Sequence, residues 1–157
     1  MDLVTHSMTG MFLGAAAARG GRDLKAMLAA AVIASALPDL DAALYLGGAG
    51  LYYHYHRLFT HTLFALPVIA APAAWAGWKW GKGSRFMTLY LLAVFCLLVP
   101  LGLDVLCDWP VLLFYPLRRT DFARGYIQYS SPAFAVIITA LALAALFLRR
   151  HRPAGQA

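Results

Sequence analysis

The sequence contains no glutamate and few charged residues of either sign. Its acidic residues number 7, and all of them are aspartates. Any carboxylate ligand or general base must therefore be an aspartate. This excludes an HExxH metalloprotease site, because that site uses a glutamate as its base. Charged residues make up 13% of the chain, whereas a typical soluble domain has roughly 25%.

Cysteine is also scarce, since the chain has 2, Cys96 and Cys107. At a rise of about 1.5 Å per residue, two positions eleven residues apart on one helix are separated by roughly 16 Å. That distance is too long for a disulfide bond. We therefore predict two free thiols, with packing as their role.

Apolar residues are abundant. They make up 62% of the 157 residues, and the mean hydropathy is +0.67. A soluble core of this size cannot bury such an excess, so much of the surface must face a bilayer. No linker or repeat marks a boundary. We predict one helical membrane domain over residues 1–148 and a polar cytoplasmic tail over residues 149–157.

The pattern predicts an all-α, polytopic membrane protein with about five membrane helices. The first two are shorter than the ~20 residues that a span requires, so we expect them to tilt or to be partly embedded. Gly10 and Gly14 allow a neighbouring helix to approach closely, and His6 lies on the same face. Pro38 should end or kink the second helix, with residues 42–46 as an extension. The predicted helices are Leu3–Ala18, Leu24–Leu37, Thr62–Trp80, Phe86–Leu106 and Pro132–Leu148.

The net charge is +6, and the basic residues are spread along the chain between the apolar segments. A nucleic-acid-binding protein gathers such residues on one solvated face, so we expect no nucleic-acid partner. Nine Lys and Arg residues lie in 19–25, 79–85 and 149–152, and four lie at 57 and in 118–124. Because cytoplasmic loops carry the excess of basic residues, we predict an outside N-terminus and an inside C-terminus.

With this orientation, most of the His and Asp residues gather near helix ends at the outer face. Ionisable groups in membrane segments usually face a cavity and have a function, and His and Asp together offer ligands for zinc, manganese or iron. The sequence thus predicts a metal site. Its candidate residues are His6, Asp39, Asp41, His54, His56, His61, Asp104 and Asp108.

Spacing leaves alternatives open. Asp39 and Asp41 point apart on a regular helix, so either Pro38 breaks the helix and both reach the metal, or one binds it and the other orients a histidine. His54 and His61 share a helical face, whereas His56 and His61 converge only at an irregular stretch. His54 therefore competes with His56. Asp108 is a further candidate because it follows Asp104 by one helical turn.

Four segments resemble the bacterial YdjM-like family of membrane-bound metal-dependent hydrolases, also described as LexA-regulated inner-membrane hydrolases. They are MDLVTHSMTGMFLG at the start, LPDLD at 37–41, HRLFTH at 56–61 and LDVLCDWPVLLFYPL at 103–117. The resemblance covers most of the chain in order. It implies a bacterial inner-membrane protein with a metal site formed by His6, Asp39, Asp41, His56, His61 and Asp104, with Arg57 beside it, and so supports His56 over His54.

The chain departs from the family pattern at two positions. Pro100 replaces a family histidine, and Ser131-Pro132 replaces an Asp-Pro pair. These changes imply a site that holds fewer metal ions, recruits His54 or Asp108, or has lost catalysis.

We hypothesise a metal-dependent hydrolase, with zinc as the metal, that cleaves a phosphoester in a lipid or lipid-linked substrate at the outer face of the inner membrane. Arg57 would hold the phosphate, and Asp39 or Asp41 would act as general base. One alternative is a metal or proton transporter, although Val68–Ala76 and Ala133–Leu146 offer no ionisable residue for a path across the membrane. The other is an inactive structural or regulatory protein that keeps its metal, which Pro100 favours.

Overall fold

Every regular element in the described part of the chain is a helix, and the irregular segment 107–128 between the last two helices carries two isolated β-bridges. The computed structural model describes residues 2–18, 21–81, 84–128 and 130–150. Arg19, Lys82 and Arg152, on which the predicted orientation partly depends, lie outside these residues, as do residues 151–157 of the predicted tail. The elements are α1 (Leu3–Ala17), α2 (Gly21–Ala36), a 3-10 helix (Leu37–Gly47), α3 (Ala49–Tyr55), α4 (Ala65–Trp80), α5 (Phe86–Leu106) and α6 (Pro132–Arg150).

The long apolar helices match the sequence prediction closely. The observed bounds of α5 are those predicted, and α6 continues two residues beyond its predicted end. Helix α4, which corresponds to the third predicted helix, starts at Ala65 and not at Thr62 as predicted. The reason is local: the Thr62 hydroxyl donates to the carbonyl of Phe59 and accepts from the amide of Ala65, so Thr62 caps the helix from outside.

The chain stays helical at Pro38, but the type of helix changes there. The prediction that the second helix ends before this residue is correct for α2, which stops at Ala36. The chain then continues as a 3-10 helix to Gly47, with Pro38 in its first turn. Proline is tolerated there because its missing amide hydrogen has no acceptor in the first turn of a helix. This tighter winding changes the directions of Asp39 and Asp41.

The short helix α3 was not predicted. It follows Gly48, whose φ of 108° is readily adopted by glycine because it lacks a Cβ atom. α3 carries His54 and three tyrosines on a mostly exposed surface.

Among the described residues, three helical segments are long and apolar enough to cross a membrane. They are Asp23–Gly47, Phe86–Leu106 and Pro132–Arg149. α1 and α4 have 15 and 16 residues, which is shorter than the ~20 residues of a typical span. The prediction of a helical membrane protein is therefore confirmed, whereas the count of about five spans is not.

Small residues hold the helices together. α1 packs against α2 and α6, and α2 also packs against α4 and α5. A Cβ atom added at Gly10 would lie 2.6 Å from the carbonyl oxygen of Ala31 in α2, and one at Gly77 would lie 2.6 Å from that of Ala26. The predicted close approach at Gly10 is thus confirmed, and helix α1 is fixed tightly against α2.

Candidate metal centre

Four chain segments converge at one end of the helical bundle. α1 and α4 begin there, while α2 and α5 end there, and each contributes a polar side chain at or close to that end. The four side chains expose between 0% and 3% of their residue surface. They are His6, Asp39, His61 and Asp104.

His6 is positioned by the start of α1. Asp2 caps this helix by accepting from the backbone amide of Thr5 at 2.9 Å, and the contact between Gly10 and α2 sets the direction of its buried face. His6 Nδ1 lies 2.6 Å from Asp39 Oδ2. A carboxylate at Nδ1 orients the ring and, with a metal at Nε2, would hold the tautomer in which histidine binds metals.

Asp104, in the last turn of α5, holds the second side of the site. Its Oδ1 accepts from Arg57 Nη2 at 2.7 Å, and its Oδ2 lies 3.3 Å from His6 Nε2. Arg57 and Asp104 are both buried, so their opposite charges offset the desolvation that each would otherwise suffer. The arginine thus fixes one carboxylate oxygen and directs the other toward the histidines.

His61 completes the cluster from the turn before α4. Its Nε2 lies 3.4 Å from Asp39 Oδ1 and 3.5 Å from Asp104 Oδ2. One ligand atom from each of His6, His61 and Asp104 can be chosen so that all three lie within 4.8 Å of one another. Burial lowers the pKa of His61 below its ordinary value, against the opposing effect of Asp39. The neutral imidazole that a metal requires is therefore favoured.

Several buried atoms of this cluster make no hydrogen bond with the described residues. They include His6 Nε2, His61 Nε2 and Asp39 Oδ1. Their nearest partners are the long imidazole–carboxylate contacts of 3.3–3.5 Å, and a buried polar atom that is left unsatisfied costs roughly 1–3 kcal/mol. The adjoining cavity has a volume of about 10 Å³, which is close to the space that one water molecule or ion fills. A bound cation would satisfy all three atoms, and these residues therefore fit a metal ion.

Asp41 has a different environment from Asp39. Its Oδ1 accepts from His56 Nδ1 at 2.6 Å, and its Oδ2 accepts from the backbone amide of Arg57 at 2.9 Å. Oδ2 also accepts from the Thr60 hydroxyl at 2.8 Å. Asp41 therefore holds the turn in which Arg57 adopts a φ of 67°, a value that is uncommon for residues other than glycine.

Thr60 connects Asp41 to the metal cluster. Its Oγ1 lies 3.0 Å from His61 Nδ1. An ionised carboxylate can only accept hydrogen bonds, so the hydroxyl proton points to Asp41 and Oγ1 accepts from His61 Nδ1–H. This arrangement leaves His61 Nε2 unprotonated on the side that faces Asp39 and Asp104. Sequence analysis missed Thr60, because a lone uncharged hydroxyl carries no ligand signal beyond its place next to His61.

A family model described as YdjM inner membrane protein matches residues 1–156. The chain belongs to the YdjM inner membrane protein family. Searches of the curated proteins and of the solved structures find no match. Family membership and the three apolar segments together indicate an inner membrane protein.

In this YdjM family member, the remaining candidate ligands occupy three different positions. His56 is buried, with its ring stacked on Tyr52 at 4.4 Å between centroids, and its Nε2 makes no hydrogen bond with the described residues. His54 is exposed on α3 beside Tyr55. Asp108 is exposed because α5 ends at Leu106, so the helical register that would place it below Asp104 does not continue that far.

Proposed function

We propose that this chain is a metal-dependent hydrolase that cleaves a phosphoester in a lipid or lipid-linked substrate. The observation that carries the proposal is the convergence of two histidines and two aspartates that are all buried, with one ligand atom each of His6, His61 and Asp104 within 4.8 Å of one another. Such groups are expensive to bury in a membrane protein and generally mark functional sites. A divalent cation offsets this cost and gives the cluster a chemical role.

Zinc is the proposed metal. Two ligands held tetrahedrally at about 2.0–2.1 Å from an ion are separated by roughly 3.3–3.4 Å. The distances from Asp104 Oδ2 to His6 Nε2 and His61 Nε2 are 3.3 and 3.5 Å, and Asp39 Oδ1 lies 3.4 Å from His61 Nε2. These spacings support a site in which His6, His61 and Asp104 supply two nitrogen ligands and one oxygen ligand. The fourth tetrahedral position would then be open to water, with Asp39 Oδ1 beside it. Manganese and iron are alternatives with similar ligand preferences.

The residues around the cluster support hydrolysis. When bound, a divalent ion stabilises negative charge that develops on phosphoryl oxygens and lowers the pKa of a coordinated water. Arg57 lies beside the cluster through its bond to Asp104, and its guanidinium matches the geometry of a phosphate group. We assign the contact with substrate phosphate to Arg57. Asp39 and Asp41 are the proposed general bases, and Asp39 is favoured because its Oδ1 faces the cluster.

Asp41 and His56 extend the proposed site. The hydrogen bonds of Asp41 suit the alternative in which one of the two aspartates binds the metal and the other orients a histidine. His56 Nε2 remains available as a ligand, so a second ion would be placed next to His56. His54 and Asp108 are less favoured, because both side chains are exposed.

The location of the cluster supports the choice of substrate. It lies at one end of the bundle, at the end of a helix long and apolar enough to cross a membrane, so it would lie near the lipid headgroups. We propose that this end faces outward, with the N-terminus outside and the C-terminus inside, because the opposite ends of the helices carry more Lys and Arg. Membrane lipids are then the nearest source of phosphoesters.

A metal-retaining protein without catalytic activity is the second candidate. Pro100 lines the cavity beside His6, His61 and Asp104. Residue 100 is the position where the family pattern has histidine, and here it presents an apolar ring to the site. A metal or proton transporter is a weaker alternative, since α4 is apolar from Ala65 to Trp78.

The proposal is tested by measuring the metal content of detergent-purified protein with elemental mass spectrometry. The wild type is compared with His61→Ala and Asp104→Ala, and His54→Ala serves as the matched control because its side chain is exposed and outside the cluster. About one or two equivalents of metal in the wild type and in His54→Ala, with loss in the other two, supports the site. Hydrolysis of a panel of phospholipids and lipid phosphates then separates an enzyme from an inactive protein. Absence of metal after reconstitution with zinc and manganese refutes the proposal.

A further inference from the structure

An apolar groove opens on the outside of the bundle next to the metal centre. It lies between the turn that precedes α4, the first turn of α4 and the Tyr115-Pro116 segment, and its volume is about 360 Å³. Small-molecule sites usually measure about 300–1,000 Å³, so the groove can hold part of a ligand. The lining residues are apolar or aromatic except for two threonines. They are Phe59, Thr60, Thr62, Phe64, Ala65, Val68, Ile69, Tyr115 and Pro116.

The groove and the metal centre share one wall. Thr60 lines both the groove and the small cavity between His6, His61 and Asp104. Its hydroxyl lies 3.0 Å from His61 Nδ1. Only the Thr60 side chain would therefore separate one end of a molecule in the groove from the proposed metal ligands.

Two arginines lie next to the Tyr115 side of the groove. The guanidinium carbon of Arg119 lies 5.4 Å from the centre of the Tyr115 ring, and Arg118 next to it is exposed. The described lining residues include no acidic side chain. Val68, which also lines the groove, is 73% exposed on α4. The arginines thus suit an anionic group, and the apolar lining suits a hydrocarbon chain.

We propose that this groove binds an acyl chain of an anionic glycerophospholipid, with Arg118 and Arg119 attracting the lipid phosphate to the groove before it reaches Arg57 at the metal centre. Apolar lining accounts for the chain, and charge complementarity at the two arginines accounts for the headgroup. The proposal rests on the proposed function for the view that the bound lipid is a substrate. Binding in the groove itself needs no metal, so the two can fail separately.

Photolabelling tests the proposal on the full chain reconstituted in vesicles of phosphatidylethanolamine and phosphatidylglycerol. The vesicles contain a trace of phosphatidylglycerol with a diazirine on one acyl chain, and labelled residues are located by peptide mass spectrometry. Val68 in the groove and Val136 on α6 are 73% and 67% exposed, so ordinary contact with bulk lipid labels them equally. We expect several-fold more label on Val68. Equal labelling would overturn the proposal.

Substitutions provide the second readout. Ala65→Trp fills the groove and should abolish the excess label, whereas Ala135→Trp should not, because Ala135 is a similarly half-buried alanine near the start of α6. Replacing Arg118 and Arg119 together by glutamine should reduce labelling by the phosphatidylglycerol probe but not by a phosphatidylcholine probe. An equal effect on both probes would contradict the anionic headgroup. Excess label in a protein without metal would support the groove and refute the hydrolase. Bound metal without excess label would support the metal centre and refute the groove.

Discussion

Replacing Thr60 by valine tests how the metal centre is held together. Valine has nearly the same shape as threonine, so the substitution removes the hydroxyl and leaves packing intact. Two hydrogen bonds are lost, the 2.8 Å bond to Asp41 and the 3.0 Å bond from His61. Losing the bond to Asp41 lowers the stability of the metal-free and the metal-bound protein by the same amount, so it does not change metal affinity. The second acts on affinity, because it fixes the tautomer in which His61 Nε2 can bind the ion.

The expected loss of affinity follows from that second bond. Removing the partner that orients a metal-binding histidine typically weakens metal affinity by about 10–100-fold, which is about 1.4–2.8 kcal/mol. Zinc affinity is measured in detergent by competition with a chromophoric chelator. Thr60→Ser should restore affinity to within a few-fold of the wild type, since serine keeps the hydroxyl.

Thr62→Val is the matched control for this experiment. Thr62 is a threonine of the same turn, and its hydroxyl bonds to the backbone at Phe59 and Ala65. It should lower the temperature of unfolding but leave zinc affinity unchanged. The reasoning is refuted if Thr60→Val binds zinc as tightly as the wild type, or if the two valine variants lose affinity equally.

Three further predictions follow from the packing and from the cavity. Pro100→His should raise zinc affinity or create hydrolytic activity, because residue 100 lines the cavity. Elemental analysis measures the bound metal, and hydrolysis of lipid phosphates measures activity. No gain in either would show that position 100 does not limit the site. Gly10→Ala should destabilise the protein by about 1–3 kcal/mol, since the added Cβ would lie 2.6 Å from the Ala31 carbonyl oxygen. Gly102→Ala is the control, because nothing lies within 4 Å of its added Cβ, and it should be neutral or stabilising by up to about 1 kcal/mol. If thermal unfolding shows Gly10→Ala to be the more stable of the two variants, the close packing of α1 against α2 at Gly10 is disproved. Removing zinc with a chelator should lower the unfolding temperature of the wild type. The loss is equivalent to about 2.7 kcal/mol when the comparison is with protein in free zinc at 100 times its Kd, and an equal drop in His61→Ala would contradict the assignment of His61.

Hydropathy and helix-breaking residues made much of the fold predictable. Phe86–Leu106 is a continuous apolar run, so its bounds could be stated in advance, and they are confirmed. The 3-10 helix after Pro38 could not be predicted, because proline is compatible both with a chain break and with the first turn of a new helix. The three-residue shift at the start of α4 arises from hydrogen bonds of Thr62, which hydropathy does not register.

The metal centre was predictable in composition but only partly in geometry. Sequence analysis selected His6, His61 and Asp104, and the structure brings these three together. The choice between Asp39 and Asp41 was left open, because it depends on contacts between segments that are distant in sequence. The partners of Asp41 follow it by 15 to 19 residues. Such contacts depend on the path of the chain between the helices, which local pattern does not determine.

The distribution of the four cluster residues along the chain also has a consequence for biosynthesis. His6 lies in α1 and Asp39 in the 3-10 helix that follows α2, whereas Asp104 lies at the end of α5. During translation the first two helices are therefore made before their partners at His61 and Asp104 exist. Loading of the proposed metal would then be a late step, which joins α1 to α5 only after both have been synthesised.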